Sequence, residues 1–300
     1  MTKDKDAENI IRVGSRASRL AVIQSEIVMN QIEEACPGVR TELITMKTTG
    51  DKILDKTLDQ IGGKGLFVKE LDEALRSGEV DLTVHSLKDL PGVIPEDLPL
   101  TAFSHREDPR DVLVFPAGKD EIDISLPIGT SSLRRSLQIK ELIPGANTAP
   151  IRGNVETRLR KLDEGQYSAL VLAAAGLKRL GLEGRISKYF SPEEMIPAAC
   201  QGIMGIQTRA GTDSDLINKI NDSDSERCAL AERAYVKAIG ADCGSPDTAF
   251  AQIKEDKMTI MGLRYDPERK TVVKDSISGS ASEAEALGRE LAYRMITNEQ

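Results

Sequence analysis

Hydrophobic and polar residues are patterned along the first two thirds of the chain as strands that alternate with helices. The strand IIRVGS (10–15) leads into a helix that begins near Ser18 and stops before Pro37 and Gly38. Apolar residues recur at helical spacing along this helix, at Leu20, Ile23, Ile27, Val28 and Ile32. The segment VDLTV (80–84) instead alternates apolar and polar residues, as a half-buried strand does. Strands that alternate with helices predict an α/β fold with a mostly parallel sheet.

Two polar interruptions divide this pattern into three parts. The first is SHREDPRD (104–111), after which strands and helices resume, including a helix capped by Asn154 and followed by Gly165. The second is DSDS (222–225), after which the sequence predicts a helix, hairpin-like strands and a final helix. A chain of 300 residues is also long for one hydrophobic core. We therefore predict two α/β lobes and a small C-terminal α/β domain.

A similar motif stands at the start of one helix in each lobe. IRVGSRASRLA (11–21) and LPIGTSSLRRS (126–136) both have a strand, a glycine, a hydroxyl residue and then a helix with arginines nearby. In the second motif, hydroxyl residues begin the helix and arginines lie in its first turn: Thr130, Ser131, Ser132, Arg134 and Arg135. One interpretation is an N-cap followed by solvated arginines. Cations in a first turn oppose the helix dipole, however, which favours the presence of an anion.

More arginines stand at predicted strand ends and helix starts. Arg16 and Ser18 belong to the first motif, and Arg152 and Arg158 lie in IRGNVETR (151–158). Backbone N–H groups, hydroxyls and guanidinium groups together form anion sites. We therefore predict a cleft for a small molecule that carries several carboxylates or phosphates.

Two adjacent charges follow the strand VDLTV, in VHSLKDLP (84–91). Lys88 and Asp89 are a surface ion pair in the plainest interpretation, but ligands of α/β sheets gather at the carboxyl ends of strands. A carboxylate among several cations stays ionised and can stabilise a cationic intermediate or transfer a proton. The GGKG stretch (62–65) is either a flexible loop or a mobile segment that brings Lys64 to an anionic substrate.

Composition argues against several classes of function. The net charge of −8 and the 3% of aromatic residues argue against nucleic-acid binding. Two histidines and four scattered cysteines suggest no metal site. The N-terminus lacks a signal-peptide pattern and no apolar run is long enough for a membrane span, which predicts a cytoplasmic protein without a membrane partner. Cys243 stands on a short loop of small residues, where a chance cysteine and a reactive one are equally favoured.

Nine segments, in order along the chain, resemble the hydroxymethylbilane synthase family, whose members are also called porphobilinogen deaminases. The segments are VGSRASRLA, KTTGD, GGKGLFVKELDEAL, VHSLKDLP, REDPRDVLV, IGTSSLRR, IRGNVETRL, AAAGLKRLGL and CQGIMGI. The resemblance implies an α/β fold of two periplasmic-binding-protein-like (type II) lobes with a third small α/β domain. It places lobe 1 at residues 1–104 plus 203–221, lobe 2 at residues 105–202 and the C-terminal domain at residues 222–300.

The resemblance also implies an activity in tetrapyrrole (porphyrin and haem) biosynthesis. Four porphobilinogen molecules are deaminated and joined head to tail on a dipyrromethane cofactor, one per chain and covalently attached. Water then releases hydroxymethylbilane, and ammonia is the by-product. The family also points to a monomer whose product passes to uroporphyrinogen-III synthase.

The same resemblance assigns roles to individual residues. Cys243 carries the cofactor through a thioether. Asp89 is the catalytic residue, which assists loss of ammonia, stabilises an azafulvene-type intermediate and helps to remove a proton after coupling. The other cofactor-binding residues are Lys88, Ser86, Ser132, Arg134, Arg135 and Arg158. The substrate-binding residues are Arg16, Ser18, Thr130, Ser131, Arg152, Phe67, Lys64, Gln201 and Gly202.

Several positions depart from the usual family pattern. Asp242 precedes Cys243 where glycine is usual, Cys200 stands where many members have glycine, and Gln60 stands where some have lysine. Two alternatives to the enzyme also stay open. One is a non-catalytic solute-binding protein for a polycarboxylate, and the other is an inactive paralogue with a damaged cofactor site.

Overall fold

The strands of the described residues form three β-sheets, and helices pack on them. The computed structural model describes residues 9–48, 68–212, 215–241 and 244–297. In these ranges the strands β1 to β13 are Asn9–Arg16, Val39–Met46, Leu82–Ser86, Leu100–Phe103, Asp111–Val114, Ile128–Gly129, Thr148–Ala149, Ala169–Ala173, Lys188–Tyr189, Met204–Thr208, Thr248–Lys254, Lys257–Asp266 and Thr271–Ser280. The helices α1 to α8 are Arg19–Ala35, Lys69–Ser77, Leu133–Leu142, Val155–Asp163, Ala174–Arg179, Asp215–Asn218, Ser223–Ile239 and Ala284–Thr297. None of the helices in these ranges is long and apolar enough to cross a lipid bilayer.

The first sheet has the strand order β2-β1-β3-β10-β4. Strand β1 pairs in parallel with β2 and β3, whereas β10 runs antiparallel to both β3 and β4. Helix α1 packs on this sheet by burying Val28 and Ile32 in a cluster with Val13 and Leu82. The sheet is therefore mixed rather than simply parallel, because β10 returns from the second lobe against the direction of the other strands.

The second sheet repeats this arrangement, with the order β7-β6-β8-β5-β9. Strands β6, β7 and β8 correspond to β1, β2 and β3 of the first sheet. Strand β5 then corresponds to β10. Strand β6 pairs in parallel with β7 and β8, and β5 is antiparallel to β8 and β9. Two lobes of this order have the type II periplasmic-binding-protein arrangement, and the predicted fold class is confirmed.

The sequence predicts strands over TAPIRG (148–153) and SALVLAAAG (168–176), and both strands are shorter than these segments. The segment TAPIRG is extended only over β7, and Pro150, which has no amide hydrogen, follows the last paired residue. The segment SALVLAAAG is a strand only as far as Ala173, and helix α5 begins at Ala174. Alanine has the highest helix propensity, and the chain changes from strand to helix within the run of alanines at the carboxyl end of β8.

The C-terminal domain is an antiparallel sheet, β11-β12-β13, covered by α7 and α8. Its core includes Tyr235 from α7 and Leu291 from α8, both fully buried. The sheet also contacts the second lobe, since Phe250 and Leu263 form a cluster with Ile196. This domain therefore packs against the segment that leads back to the first lobe.

Candidate active site

Strand β3 delivers two charged residues to the cleft between the lobes. The strand ends at Ser86 and continues in a 3-10 turn, Leu87–Asp89. Leu87 is fully buried and anchors the turn, Lys88 is partly buried, and Asp89 is exposed. The core therefore fixes this turn, while the carboxylate of Asp89 is accessible to a ligand.

A side-chain network connects Lys88 to the second lobe through Gln201. The Lys88 ammonium donates to Gln201 Oε1 at 3.2 Å. The Gln201 amide donates in turn to Asp111 Oδ1 at 2.9 Å and to the carbonyl of Pro109 at 2.7 Å. Because Gln201 is buried, these bonds fix its orientation and hold Lys88 at the boundary between the lobes.

The surroundings of Lys88 also set its proton affinity. Burial lowers the pKa of Lys88 to about 8, the arginines Arg135 and Arg134 lower it too, and Asp89 and Asp111 oppose them. A ligand carboxylate beside this ammonium would stabilise its charged form. Lys88 is therefore suited to bind an anion.

The guanidinium groups of Arg134 and Arg135 contact a carboxylate of the protein itself. Arg134 Nη1 donates to Asp111 Oδ2 at 2.7 Å, and Arg135 Nη2 donates to Asp111 Oδ1 at 2.7 Å. All three side chains are buried. Burial favours the neutral acid, but the two arginines hold the pKa of Asp111 well below its usual range. The anion that the first-turn arginines predicted is therefore present within the protein.

Arg158 belongs to a second group of charges around the cleft. Its Nε donates to the carbonyl of Gly153 at 2.8 Å. Burial lowers the pKa of Arg158 to about 10, Arg135 and Arg152 lower it further, and Asp89 opposes them. The charges of Arg135, Arg152 and Asp89 therefore act on Arg158, and an anionic ligand beside it would relieve the repulsion between cations.

Arg16 brings positive charge to the corresponding edge of the first lobe. It is the last residue of β1 and is partly buried. Burial, reinforced by Arg16, lowers the pKa of His85 to about 4, so this imidazole is neutral at physiological pH. The ring is also hydrogen-bonded to the hydroxyl of Thr83 at 2.9 Å. Arg16 therefore acts on the same strand end that carries Lys88 and Asp89.

A small cavity that opens to solvent lies beside Lys88 and is lined by both lobes. Its polar lining residues are Gln24, Ser86, Lys88, Arg179 and Gln201, and Leu20, Ala173, Ala175 and Ile203 add apolar surface. Gln24 Nε2 donates to Ser86 Oγ at 2.9 Å. Burial lowers the pKa of Arg179 to about 10, and Glu107 opposes this effect. Apolar surface with a few cationic and amide groups suits a ring that carries carboxylates.

The segment that crosses back to the first lobe is tightly packed. Gly202 has φ +93°, and a Cβ there would lie 2.2 Å from the carbonyl oxygen of Glu107. Arg179 Nη2 donates to the carbonyl of Gly202 at 2.6 Å. Burial, with Glu232 beside it, raises the pKa of the Cys200 thiol to about 12. The cysteine at this departure from the family pattern is therefore a buried, unreactive thiol.

The hydroxyl residues at the two helix starts make local hydrogen bonds. Ser18 and Ser132 each accept an amide hydrogen bond within their own helix at 3.4 Å, as N-caps do. Thr130 Oγ1 accepts from the Ser132 amide at 3.2 Å, and Ser131 Oγ donates to the carbonyl of Ile151 at 2.7 Å. Both helices therefore begin as the sequence predicts.

Three predicted site residues, Lys64, Phe67 and Cys243, lie outside the described residues, as do Gln60 and Asp242. In the part of the chain that the structure describes, histidine, cysteine, aspartate and glutamate side chains form no group of three or more that could hold a metal ion.

Two residues of this site, Asp111 and Arg179, were not identified from the sequence. Both stand in segments that resemble the family, REDPRDVLV and AAAGLKRLGL. The available signal was Asp111 at the start of an apolar strand, because a buried carboxylate requires a cationic partner. Arg179 gave no comparable signal, since an arginine near a helix end is commonly solvated.

Comparison with known proteins identifies the family of this chain. A family model described as porphobilinogen deaminase, dipyromethane cofactor binding domain, matches residues 11–218. A second, described as porphobilinogen deaminase, C-terminal domain, matches residues 226–297. The porphobilinogen deaminase of Acetivibrio thermocellus is 54% identical over 286 residues, covering 95% of this chain and 98% of the relative. That of Chromobacterium violaceum is 46% identical over 290 residues, covering 95% of this chain and 94% of the relative.

Solved structures give a weaker likeness. The periplasmic VFT2 domain of Bordetella pertussis BvgS is similar with a TM-score of 0.42 and 16% identity, covering 71% of this chain and 87% of that domain. Nothing further follows from a similarity of that size. The family matches span most of the sequence, and the chain therefore belongs to the porphobilinogen deaminase family, as an enzyme of tetrapyrrole biosynthesis that uses a dipyrromethane cofactor.

Proposed function

We propose that the chain joins four porphobilinogen molecules head to tail in this cleft, deaminates each in turn and releases hydroxymethylbilane by hydrolysis. The observation that carries this proposal is the position of Asp89. It is an exposed carboxylate whose charge acts on the cations Lys88 and Arg158. A cleft of this kind binds an anionic molecule and also offers one carboxylate for the positive charge that the reaction creates.

Charge complementarity explains how the substrate and the growing product are bound. Each pyrrole carries an acetate and a propionate, so a chain of pyrroles is a polyanion. Lys88, Arg158 and Arg179 are partly buried cations, and a hydrogen bond to such a group contributes about 1.5–3 kcal/mol. We infer that these three hold substrate carboxylates and that Arg16 and Arg152 extend the binding surface along the cleft.

Asp89 acts on the positive charge that develops in the substrate. When porphobilinogen loses ammonia, its methylene carbon–nitrogen bond breaks and the ring is left cationic. A carboxylate that is already held in place stabilises this charge without reorganisation. After the new carbon–carbon bond forms, the attacked ring carbon loses a proton, and Asp89 accepts it.

The residues around the cavity fit a dipyrromethane cofactor. Two pyrrole rings need apolar surface, and their carboxylates need cations and hydrogen-bond donors. The cavity offers both, since Lys88 and Ser86 line it beside apolar side chains. Lys88, Ser86, Ser132 and Arg158 would hold the cofactor, and Cys243 would carry it through a thioether. When bound, the cofactor supplies the ring carbon to which the first substrate is joined.

Arg134 and Arg135 are proposed to support cofactor binding through their charge. Their guanidinium groups are bonded to Asp111, but two cations and one anion leave this buried cluster with a net positive charge. Arg134 and Arg135 lower the pKa of Lys88, and Asp111 partly offsets this effect. The cluster therefore adds positive potential behind the cleft while it fixes Gln201.

We also propose the organisation and setting of the enzyme. Lobe 1 comprises residues 1–104 and 203–221, lobe 2 residues 105–202, and the C-terminal domain residues 222–300, and each contains one of the three sheets. The protein acts as a cytoplasmic monomer, and its product passes to uroporphyrinogen-III synthase.

Substitution of Asp89 tests this function. Asp89→Ala is expected to keep the covalent cofactor, seen in the intact mass, and to lower turnover by about 10²–10⁴-fold, because it removes the acid–base and electrostatic group. Asp97→Asn is the matched control, since Asp97 is an exposed carboxylate bonded to Arg76 at 2.6 Å, and it should leave turnover unchanged. Near-normal turnover of Asp89→Ala would contradict the proposal. Neither non-catalytic alternative would form hydroxymethylbilane in this assay.

A further inference from the structure

Helix α7 of the C-terminal domain reaches the turn that follows Asp89. Arg233 projects from this helix, and its Nη2 donates to the carbonyl of Pro91 at 2.8 Å and to that of Gly92 at 3.1 Å. These carbonyls belong to the second and third residues after Asp89. Arg233 of the C-terminal domain therefore holds the residues that directly follow the Leu87–Asp89 turn in the first lobe.

Backbone hydrogen bonds from the Leu87 amide to Ile203 at 3.0 Å and from the Leu90 amide to Leu87 at 3.2 Å hold the turn itself, whereas the segment after it is irregular. Residues 91–95 lie in neither a helix nor a strand of the described chain. Pro91 has no amide hydrogen to donate, and Val93 is 72% exposed. The Arg233 contacts are consequently a large share of the polar restraint on this side of Asp89.

The preceding residue of the same helix restrains the other side of the site. Glu232 is fully buried, forms an ion pair with Arg106, and accepts a hydrogen bond from the amide of Cys200. Cys200 precedes Gln201, which holds Lys88. Two consecutive residues of α7 thus contact the segments next to both members of the Lys88–Asp89 pair.

We propose that Arg233 is a positioning residue that fixes the location of Asp89 relative to the cleft. The inference rests on the proposed role of Asp89. Arg233 touches neither Asp89 nor the cavity, so its effect on the reaction passes through the backbone of Pro91 and Gly92. A small displacement of a catalytic group lowers the rate of the chemical step even when the substrate still binds.

The guanidinium group is suited to this task. Both carbonyls accept from one nitrogen, Nη2, whose N–H groups are fixed in direction by the guanidinium plane. The ammonium of a lysine is instead a flexible point donor that is strongly hydrated. A lysine at this position should therefore keep part of the positioning effect on Asp89, and an uncharged glutamine should keep less of it.

The test compares Arg233→Gln and Arg233→Lys with Arg227→Gln in the cofactor-bearing enzyme. Arg227 lies on the same helix, and in the described part of the chain its hydrogen bonds stay within that helix, to Asp224 and to the carbonyl of Ser223, so this variant controls for changes to α7. Arg233→Gln is expected to lower kcat about tenfold with KM within about twofold and the intact mass of the cofactor adduct unchanged. The kcat of Arg233→Lys should lie between those of Arg233→Gln and the unchanged enzyme. The kcat of Arg227→Gln should equal that of the unchanged enzyme.

The outcomes separate this inference from the proposed function. A kcat for Arg233→Gln equal to that of the unchanged enzyme, or an equal loss in Arg227→Gln, would overturn the positioning role while the effect of Asp89→Ala stood. A rise in KM with kcat unchanged would also overturn it. If Arg233→Gln does not fold, the kcat of Arg233→Lys decides, and a value equal to that of the unchanged enzyme counts against the inference.

Discussion

The two lobes present similar helix starts but use their arginines differently. In the first lobe, Arg16 is partly buried at the end of β1, and its charge reaches the strand end that carries the catalytic turn. In the second lobe, Arg134 and Arg135 are buried and both donate to Asp111. One motif thus presents a cation at the cleft, and the other ties its cations to an internal carboxylate.

This difference shows what decides the role of an arginine at a helix start. The sequence around both motifs is alike, but Asp111 stands 23 and 24 residues before its partners along the chain. It reaches them because β8 pairs both with β5, which begins at Asp111, and with β6, which leads into α3. The tertiary fold, rather than the local motif, therefore determines whether an arginine at a helix start is held by a buried carboxylate of the protein.

The largest effect on stability is expected when the buried carboxylate that holds Arg134 and Arg135 is removed. Asp111→Asn leaves two buried guanidinium groups without a charged partner and should lower the free energy of unfolding by about 3–5 kcal/mol. Urea denaturation measures this loss. The folded-state pKa of Asp111 lies below that of an unfolded aspartate, so its contribution is fully present above about pH 4 and is lost as the pH falls further. The unchanged chain and the variant should therefore converge in stability on acidification.

Arg16→Gln is the counterpart of this variant in the first lobe. It should lower the free energy of unfolding by less than Asp111→Asn does, because Arg16 is only partly buried whereas Arg134 and Arg135 are buried. Its KM for porphobilinogen should rise about tenfold, which corresponds to the loss of one charged hydrogen bond. If Asp111→Asn were as stable as the unchanged chain, or Arg16→Gln as unstable as Asp111→Asn, the two motifs would not differ as described.

A smaller effect is expected in the titration of Lys88, which lies between the two motifs. In Cys243→Ser, which cannot carry the cofactor, the pKa of Lys88 should be about 8, below the value of about 10.4 for a free lysine. In the cofactor-bearing enzyme the pKa should be higher, because bound carboxylates stabilise the ammonium. The pH dependence of amine labelling at Lys88, followed by mass spectrometry, measures both values. An unshifted pKa in Cys243→Ser would show that burial and Arg135 do not act on Lys88 as described.

Much of the fold and the general character of the site could be predicted from the sequence. Helix starts at Ser18 and Asn154 depend on local capping, and both are observed. The arginines at strand ends and helix starts predicted a cleft for an anion, which stays a prediction, and the charges of Arg134 and Arg135 reach Lys88. These features depend on residues that are close in sequence or on the general properties of α/β sheets.

The rest depended on contacts between distant segments. The contact of Asp111 with Arg134 and Arg135 requires β8 to pair with both β5 and β6. The place of Arg179 in the cavity requires α5 to begin where a longer strand was predicted. The hydrogen bonds from Arg233 to the turn after Asp89 join residues about 140 positions apart, at sequence separations of 142 and 141. No local pattern specifies such contacts.

The covalent cofactor gives the most direct test of the account, because the cationic cleft is proposed to serve a polyanion that is tethered within it. Freshly expressed protein, once denatured, is predicted to have an intact mass above that of the polypeptide by one dipyrromethane and to give colour with Ehrlich's reagent. Cys243→Ser should lose both. A mass equal to that of the bare polypeptide in the unchanged chain, without colour, would contradict the account.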